Sequence, residues 1–132
     1  MLVSCKITKQ ALRYEILMDL RIKLFQDGAE LDKLIAARKR GLVGGFTTNP
    51  TLMRKPGVSD YKDFAHKVIA AIPDLPISFE VFSDNFDAME REAREIASWG
   101  GDTYVKIPIA NTKGVSAAPL IRKLSPEELS LV

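Results

Sequence analysis

The feature that most constrains the fold of this chain is a regular alternation of strand-like and helix-like segments. Short runs rich in β-branched and aromatic residues begin near residues 22, 42, 77 and 103, and a segment of helical periodicity follows each one. Strands that alternate with helices indicate βαβ units and a parallel sheet. Four such units take roughly 110 residues, so eight would take about 220, the usual size of a (β/α)8 barrel.

The predicted strands cover residues 21–26, 42–46, 77–82 and 103–108, and the predicted helices cover residues 30–40, 61–72, 86–99 and 117–124. Gly41 is expected to end the first helix, and Ser59-Asp60 and Ser83-Asp84 to cap the next two. Residues 125–132 leave two alternatives open: the start of a fifth strand, or a helix that begins at Ser125-Pro126. In both cases a new element begins where the chain ends, so we expect a truncated barrel of about four βα units.

Polar residues at the strand ends distinguish a barrel from a small open doubly wound sheet. An open dinucleotide-binding sheet has a G-x-G-x-x-G turn after its first strand, whereas this chain has Asp27-Gly28-Ala29. The polar or charged residues near the C-terminal ends of the predicted strands are Asp27, Thr47, Ser78, Glu80 and Lys106. In a (β/α)8 barrel these ends surround one mouth, where active sites are built. The sequence therefore favours an α/β fold of the barrel type.

Composition and charge argue against several other classes of protein. The chain has 132 residues and a net charge of +2, with acidic and basic residues interspersed, so we expect no nucleic-acid partner. Cys5 is the only cysteine and His66 the only histidine, so neither a disulfide nor a metal site is predicted. No uncharged apolar run approaches the ~20 residues of a membrane helix. We expect a cytoplasmic protein with no membrane partner.

Lys106 lies in the middle of the last predicted strand, between Val105 and Ile107. One interpretation is an edge strand whose lysine is solvated and discourages pairing with other chains. The other is a lysine held in a pocket, where it loses proton affinity and acts as a nucleophilic amine. Asp27 and Glu80 at neighbouring strand ends favour the pocket, because a lysine among carboxylates is compensated.

Three motifs in this order resemble the transaldolase family. They are Gly45-Phe-Thr-Thr-Asn-Pro-Thr-Leu52, Ile77-Ser-Phe-Glu-Val81 and Tyr104-Val-Lys-Ile-Pro108, and Lys23-Leu-Phe-Gln-Asp-Gly-Ala29 is similar to the family's first strand. The resemblance extends over about residues 18–125. It implies the fold of the class I aldolases, a (β/α)8 barrel that uses neither a metal nor an organic cofactor.

The resemblance also implies roles for individual residues. Lys106 would be the Schiff-base lysine, Asp27 the acid/base for the C4 hydroxyl, and Glu80 a carboxylate that acts through a water on the imine. Asn49 and Ser78 would hold the substrate, and Thr48 would support them. The implied activity is transfer of a three-carbon dihydroxyacetone unit between sugar phosphates, as in the pentose phosphate pathway.

Two alternatives remain open at the level of the sequence. The first is an aldolase of the fructose-6-phosphate aldolase type, which shares the lysine and the Asn-Pro turn; Glu80 favours transaldolase, because the aldolase type tends to have glutamine there. The second is a non-catalytic fragment that contains half of a barrel. We expect residues 1–17 to be an N-terminal extension of the half-barrel 18–132, and unpaired sheet edges to favour self-association into homo-oligomers.

Overall fold

The computed structural model describes residues 22–54, 60–127 and 130–131. Its strands are β1 (Phe25–Asp27), β2 (Gly45–Thr47), β3 (Ile77–Glu80) and β4 (Thr103–Lys106). They form one sheet in the order β1-β2-β3-β4, and every neighbouring pair is parallel. Helices connect the strands, so the predicted α/β class with four βα units of a barrel is confirmed. The predicted division between residues 17 and 18 lies outside the described residues.

Five α-helices are present in the described part of the chain. They are α1 (Leu31–Arg40), α2 (Pro50–Arg54), α3 (Tyr61–Ala71), α4 (Phe86–Ala97) and α5 (Ala118–Leu124), and a 3-10 helix, Ser125–Glu127, follows α5. Helix α2 was not predicted, because Asn49-Pro50 was interpreted only as a turn. Asn49 Oδ1 accepts a hydrogen bond from Leu52 N at 2.9 Å, and proline is favourable at the first helical position. The dipeptide therefore begins a short helix.

The helix ends agree with the predicted caps at two of three positions. Gly41 ends α1 with a left-handed φ of 66°, and Asp60 caps α3 by accepting a hydrogen bond from Asp63 N. The prediction that Ser83-Asp84 caps the next helix is wrong. Asn85 caps α4 through Ala88 N, because the Asp84 carboxylate is bonded instead to Thr112 in the loop after β4.

We expect Asn85→Ala to lower the free energy of unfolding by about 1 kcal/mol, because the Ala88 amide would lose its acceptor. Chemical denaturation measures the change. The matched control is Asn111→Ala, which removes a loop amide that accepts from Lys113 N and Val115 N and ends no helix. Equal stability of Asn85→Ala and the wild type would show that this side chain does not cap α4.

The two faces of the sheet differ sharply in chemistry. The register pairs Phe46 with Ile77 and Phe79 with Val105, so these side chains share one face, and all four are buried. They join one hydrophobic core with helix residues that include Leu34, Val68, Met89, Ile96 and Leu124. Because side chains alternate along a strand, the opposite face carries the polar residues.

The described residues after α5 show a feature of each alternative that the sequence left open. Val105 N donates a hydrogen bond to Ser130 O at 2.8 Å, and Leu131 pairs with Val105 in parallel orientation. Ser125 is the C-cap of α5 and also the first residue of the 3-10 helix Ser125–Glu127, so a short helical turn does begin there. Leu131 therefore forms a single parallel bridge at the place beside β4 where a fifth strand of a barrel would lie. Within the described ranges, no helix has the length and apolar character needed to cross a membrane.

Candidate active site

Register places the polar strand-end residues of all four strands on one face of the sheet. Asp27 pairs with Thr47, Thr47 with Ser78, and Glu80 with Lys106. Paired residues point to the same side of a sheet, and Ser78 and Glu80 are two positions apart. All five side chains therefore lie on the face opposite the helix-packed core, toward the C-terminal ends of their strands.

Lys106 and Glu80 form the closest pair of charges in this site. Lys106 Nζ lies 3.5 Å from Glu80 Oε2, and the two side chains are 24% and 33% exposed. Strand β4 is the last strand of the four-stranded sheet, and beyond it the described residues add a single parallel bridge between Val105 and Leu131. Lys106 is therefore on an edge strand, as the first interpretation has it, but its amine lies beside Glu80 and is only partly exposed, as the second has it. A partly buried amine beside a carboxylate oxygen has a nearby group that can exchange protons with it.

Asp27 lies at the other side of the sheet. Its Oδ1 accepts a hydrogen bond from Thr47 Oγ1 at 2.5 Å, and it lines a separate cavity of about 310 Å³. Three inter-strand spacings separate β1 from β4, about 14 Å along a flat sheet and less along a curved one. In the part of the chain that is described, Asp27 makes no ion pair with Lys106. The structure thus brings Glu80 into direct contact with Lys106, whereas Asp27 makes no such contact with Lys106.

Thr48 and Asn49 follow β2 and are held by different contacts. Thr48 is 2% exposed and donates its backbone N–H to Ser78 O, while its Oγ1 has no hydrogen-bond partner among the described residues. Asn49 uses its oxygen to cap α2, which leaves its amide NH2 group for other partners. Ser78 is 3% exposed and lies two residues before Glu80 on β3.

A cleft of about 570 Å³ opens at the C-terminal end of the sheet. Its lining includes Asn49, Glu80, Ser83, Asp84, Pro108 and Thr112. The Glu92 carboxylate accepts hydrogen bonds from Phe82 N, Ser83 N and Ser83 Oγ, so it fixes the loop that follows β3. A cleft of this volume is within the range of small-molecule sites.

Asp84 ties the loop after β3 to the loop after β4 across this cleft. Its two carboxylate oxygens accept from Thr112 Oγ1 and Thr112 N, both at 2.7 Å. These hydrogen bonds, the hydroxyl contact foremost, lower the pKa of Asp84 below its ordinary value of 3.8. The ionised carboxylate of Asp84 is therefore the form that accepts both hydrogen bonds from Thr112.

This lowered pKa predicts that acid weakens the tie. A group whose pKa falls on folding contributes stability above its unfolded pKa of about 3.9 and loses that contribution as the pH falls through the folded value. We expect Asp84→Asn to melt below the wild type at pH 7 and the difference to shrink as the pH falls below the ordinary pKa of aspartate, about 3.9. Thermal melts across this range measure it, and a difference that persists undiminished in acid would contradict the assignment.

Two residues support the site through contacts that were not predicted from the sequence, although Thr47 was named there among the polar residues at the strand ends. Thr47 holds the Asp27 carboxylate, and its place beside Asp27 follows only from the register of β1 with β2. Tyr61 at the start of α3 bonds the backbone of Glu80 from 19 residues away. The only sequence signal for Tyr61 is an aromatic residue directly after a helix cap, which is also typical of core packing. His66 is exposed on α3.

Potential metal ligands do not gather in this site. Among the described residues, no three histidine, cysteine, aspartate or glutamate side chains lie close enough together to hold a metal ion. The Glu80 carboxylate lines the cleft together with Asp84, and the Lys106 amine lies next to Glu80. Such a pair suits covalent chemistry on a carbonyl compound, in which an amine attacks and a carboxylate moves protons.

Comparison with known proteins identifies the family. The model of the transaldolase/fructose-6-phosphate aldolase family matches residues 24–131. A probable transaldolase of Dehalococcoides mccartyi is 39% identical over 106 residues, which are 80% of this chain and 47% of the relative. A probable transaldolase of Thermoplasma volcanium is 41% identical over 110 residues, 82% of this chain and 47% of the relative. The chain spans about half the length of these curated relatives, and it belongs to the transaldolase/fructose-6-phosphate aldolase family of enzymes.

Proposed function

We propose that this chain provides the imine-forming part of a transaldolase active site, with Lys106 as the nucleophile. The observation that carries the proposal is the 3.5 Å approach of Lys106 Nζ to Glu80 Oε2. Glu80 also lines the cleft of about 570 Å³, a volume in the range of small-molecule sites. The two relatives named above are also described as probable transaldolases. The substrates proposed here are sugar phosphates.

The reaction begins at the ketose carbonyl. The neutral Lys106 amine attacks C2, the carbonyl oxygen leaves as water, and a protonated imine remains. Glu80 accepts and returns the protons of this dehydration through a water, for which its partly exposed carboxylate is suited. The positive imine then serves as an electron sink for the bond between C3 and C4.

Bond cleavage needs a base at the C4 hydroxyl, and we propose Asp27 for this role. The Thr47 hydroxyl donates to one Asp27 oxygen and leaves the other oxygen for a substrate proton. When the C3–C4 bond breaks, its electrons enter the imine and the C4 oxygen becomes the carbonyl of the released aldose. The dihydroxyacetone unit on Lys106 then attacks an acceptor aldose, and the steps reverse. Asn49, Ser78 and Thr48 hold the substrate and the neighbouring backbone during these steps.

An acceptor-dependence assay tests the transfer function. The chain is incubated with fructose 6-phosphate, with and without an acceptor aldose phosphate, and the products are separated. Product that forms only with the acceptor supports transaldolase. Free dihydroxyacetone in the absence of an acceptor would contradict transfer and indicate the aldolase reaction. No turnover under either condition would contradict both activities for this chain and favour a non-catalytic fragment.

We infer self-association through the edge of the sheet at β1. Within the described ranges β1 pairs only with β2, and the adjoining apolar side chains Ile22, Leu24 and Phe25 are 64%, 42% and 46% exposed. An unpaired edge with apolar side chains is a template for another chain. We expect sedimentation velocity to show oligomers that Leu24→Lys reduces. A wild-type chain that is monomeric at high concentration would contradict this inference.

A further inference from the structure

The hydroxyl of Tyr61 replaces a missing strand partner beside Glu80. Strand β2 pairs with β3 only as far as Ser78, because the chain turns after Thr48 into α2. The N–H and C=O groups of Glu80 point to the same side of β3 as those of Ser78, since they are two residues apart. There the Tyr61 hydroxyl accepts from Glu80 N at 2.9 Å and donates to Glu80 O at 3.0 Å.

The ring of Tyr61 is itself tightly held. It packs edge-on against Phe79, Phe82 and Trp99, with ring centroids 5.9, 6.0 and 5.3 Å away. Burial raises the pKa of the Tyr61 hydroxyl far above its ordinary value, so the group remains a donor at neutral pH. The packed ring therefore holds the Tyr61 hydroxyl in place for its two hydrogen bonds with the Glu80 backbone.

On its other side Glu80 is tied to β4. Glu80 pairs with Lys106 in the sheet register, and Val81 N donates to Lys106 O at 3.1 Å. The backbone of Glu80 is thus held on both sides, by Tyr61 and by β4, and its side chain extends from this held segment toward Lys106 Nζ. A shift of about 1 Å in such a pair is enough to slow a reaction strongly.

We propose that Tyr61 is a positioning residue that acts through Glu80 on imine formation at Lys106. The proposal rests on the proposed function, because Glu80 is given a role in that chemistry. Tyr61 touches neither Lys106 nor the cleft, so its effect must pass through the Glu80 backbone. Tyr61→Phe removes both hydrogen bonds and keeps the packed ring.

A double-mutant cycle tests the proposal. The rate of borohydride-trapped imine formation with fructose 6-phosphate is measured for wild type, Tyr61→Phe, Glu80→Gln and the double variant. We expect Tyr61→Phe to slow the wild type about tenfold and to slow Glu80→Gln less than about twofold, because residues that act through one another are not additive. Equal slowing in both backgrounds would overturn the proposal. Phe64→Leu on the same helix controls for lost stability, since Phe64 is a buried core residue that makes no hydrogen bond to Glu80.

Amide hydrogen exchange provides a second readout that needs no activity. In the wild type the Glu80 amide should be protected although β2 has ended, and Tyr61→Phe should speed its exchange at least about tenfold. An unprotected Glu80 amide in the wild type would overturn the positioning role even if Tyr61→Phe does not fold. A wild type that forms no imine but protects this amide would refute the proposed function while retaining the contact, so the two failures are distinguishable.

Discussion

Lys106→Met is expected to abolish cleavage of fructose 6-phosphate, with activity at least about 10⁴-fold below the wild type, because no other group can take the place of the nucleophilic amine. Methionine keeps the length and apolar stem of the side chain, so it preserves packing against the strand. The lost contact is the one to Glu80 at 3.5 Å, between side chains that are partly exposed. We therefore expect the variant to fold.

The matched control for this loss is Lys113→Met. Lys113 is an exposed residue in the loop that follows β4, and its replacement removes the same charge outside the cleft. We expect its rate to lie within about twofold of the wild type. Circular dichroism of both variants shows whether each is folded. Residual cleavage by a folded Lys106→Met chain would mean that another amine forms the imine.

Phe79→Ala is expected to destabilise the chain more than any single change discussed above, by about 3–5 kcal/mol. Phe79 is fully buried in β3 and packs edge-on against Trp99 at 5.3 Å and Tyr61 at 5.9 Å. The loss combines removal of apolar surface with a cavity that the surrounding strands cannot close. Since domains of this size have only about 5–15 kcal/mol of stability, many molecules would be unfolded at moderate temperature.

Phe82→Ala is the control for that prediction. Phe82 belongs to the same segment but is 62% exposed, so its truncation removes little buried surface. We expect a change below about 1 kcal/mol in urea denaturation. If Phe79→Ala were as mild as Phe82→Ala, then the face opposite Glu80 would not be the principal core of this sheet.

The alternation of elements and the core were predictable because they depend on periodicity. Leu34, Val68 and Ile96 lie at helical spacing in their segments, and all three are buried. In the strands, buried apolar residues alternate with polar ones, which is the periodicity of a sheet with one buried face. Strand lengths were overestimated, since β1 and β2 have only three residues each. Pairing in a sheet ends where the chain turns away, which depends on the neighbouring strand and is not encoded in local propensity.

The part of the site that depends on which residues stand at the C-terminal ends of the strands was predictable from the sequence. Register brought Glu80 to Lys106, which the position of both residues near C-terminal strand ends had indicated. The contacts of Tyr61 and Asp84 were not predictable, because each joins segments 19 or 28 residues apart through loops and helices. Asp84 was assigned to a helix cap for the same reason: a local pattern cannot show a partner across the cleft.

The measurement that tests the central claim most directly is borohydride trapping followed by peptide mass mapping. The purified chain is incubated with fructose 6-phosphate, reduced, digested and analysed beside Lys106→Met. We predict a dihydroxyacetone-sized adduct on the peptide that contains Lys106, and none on the variant. An adduct on a different lysine, or no adduct on a folded wild-type chain, would contradict the assignment of Lys106 as the nucleophile.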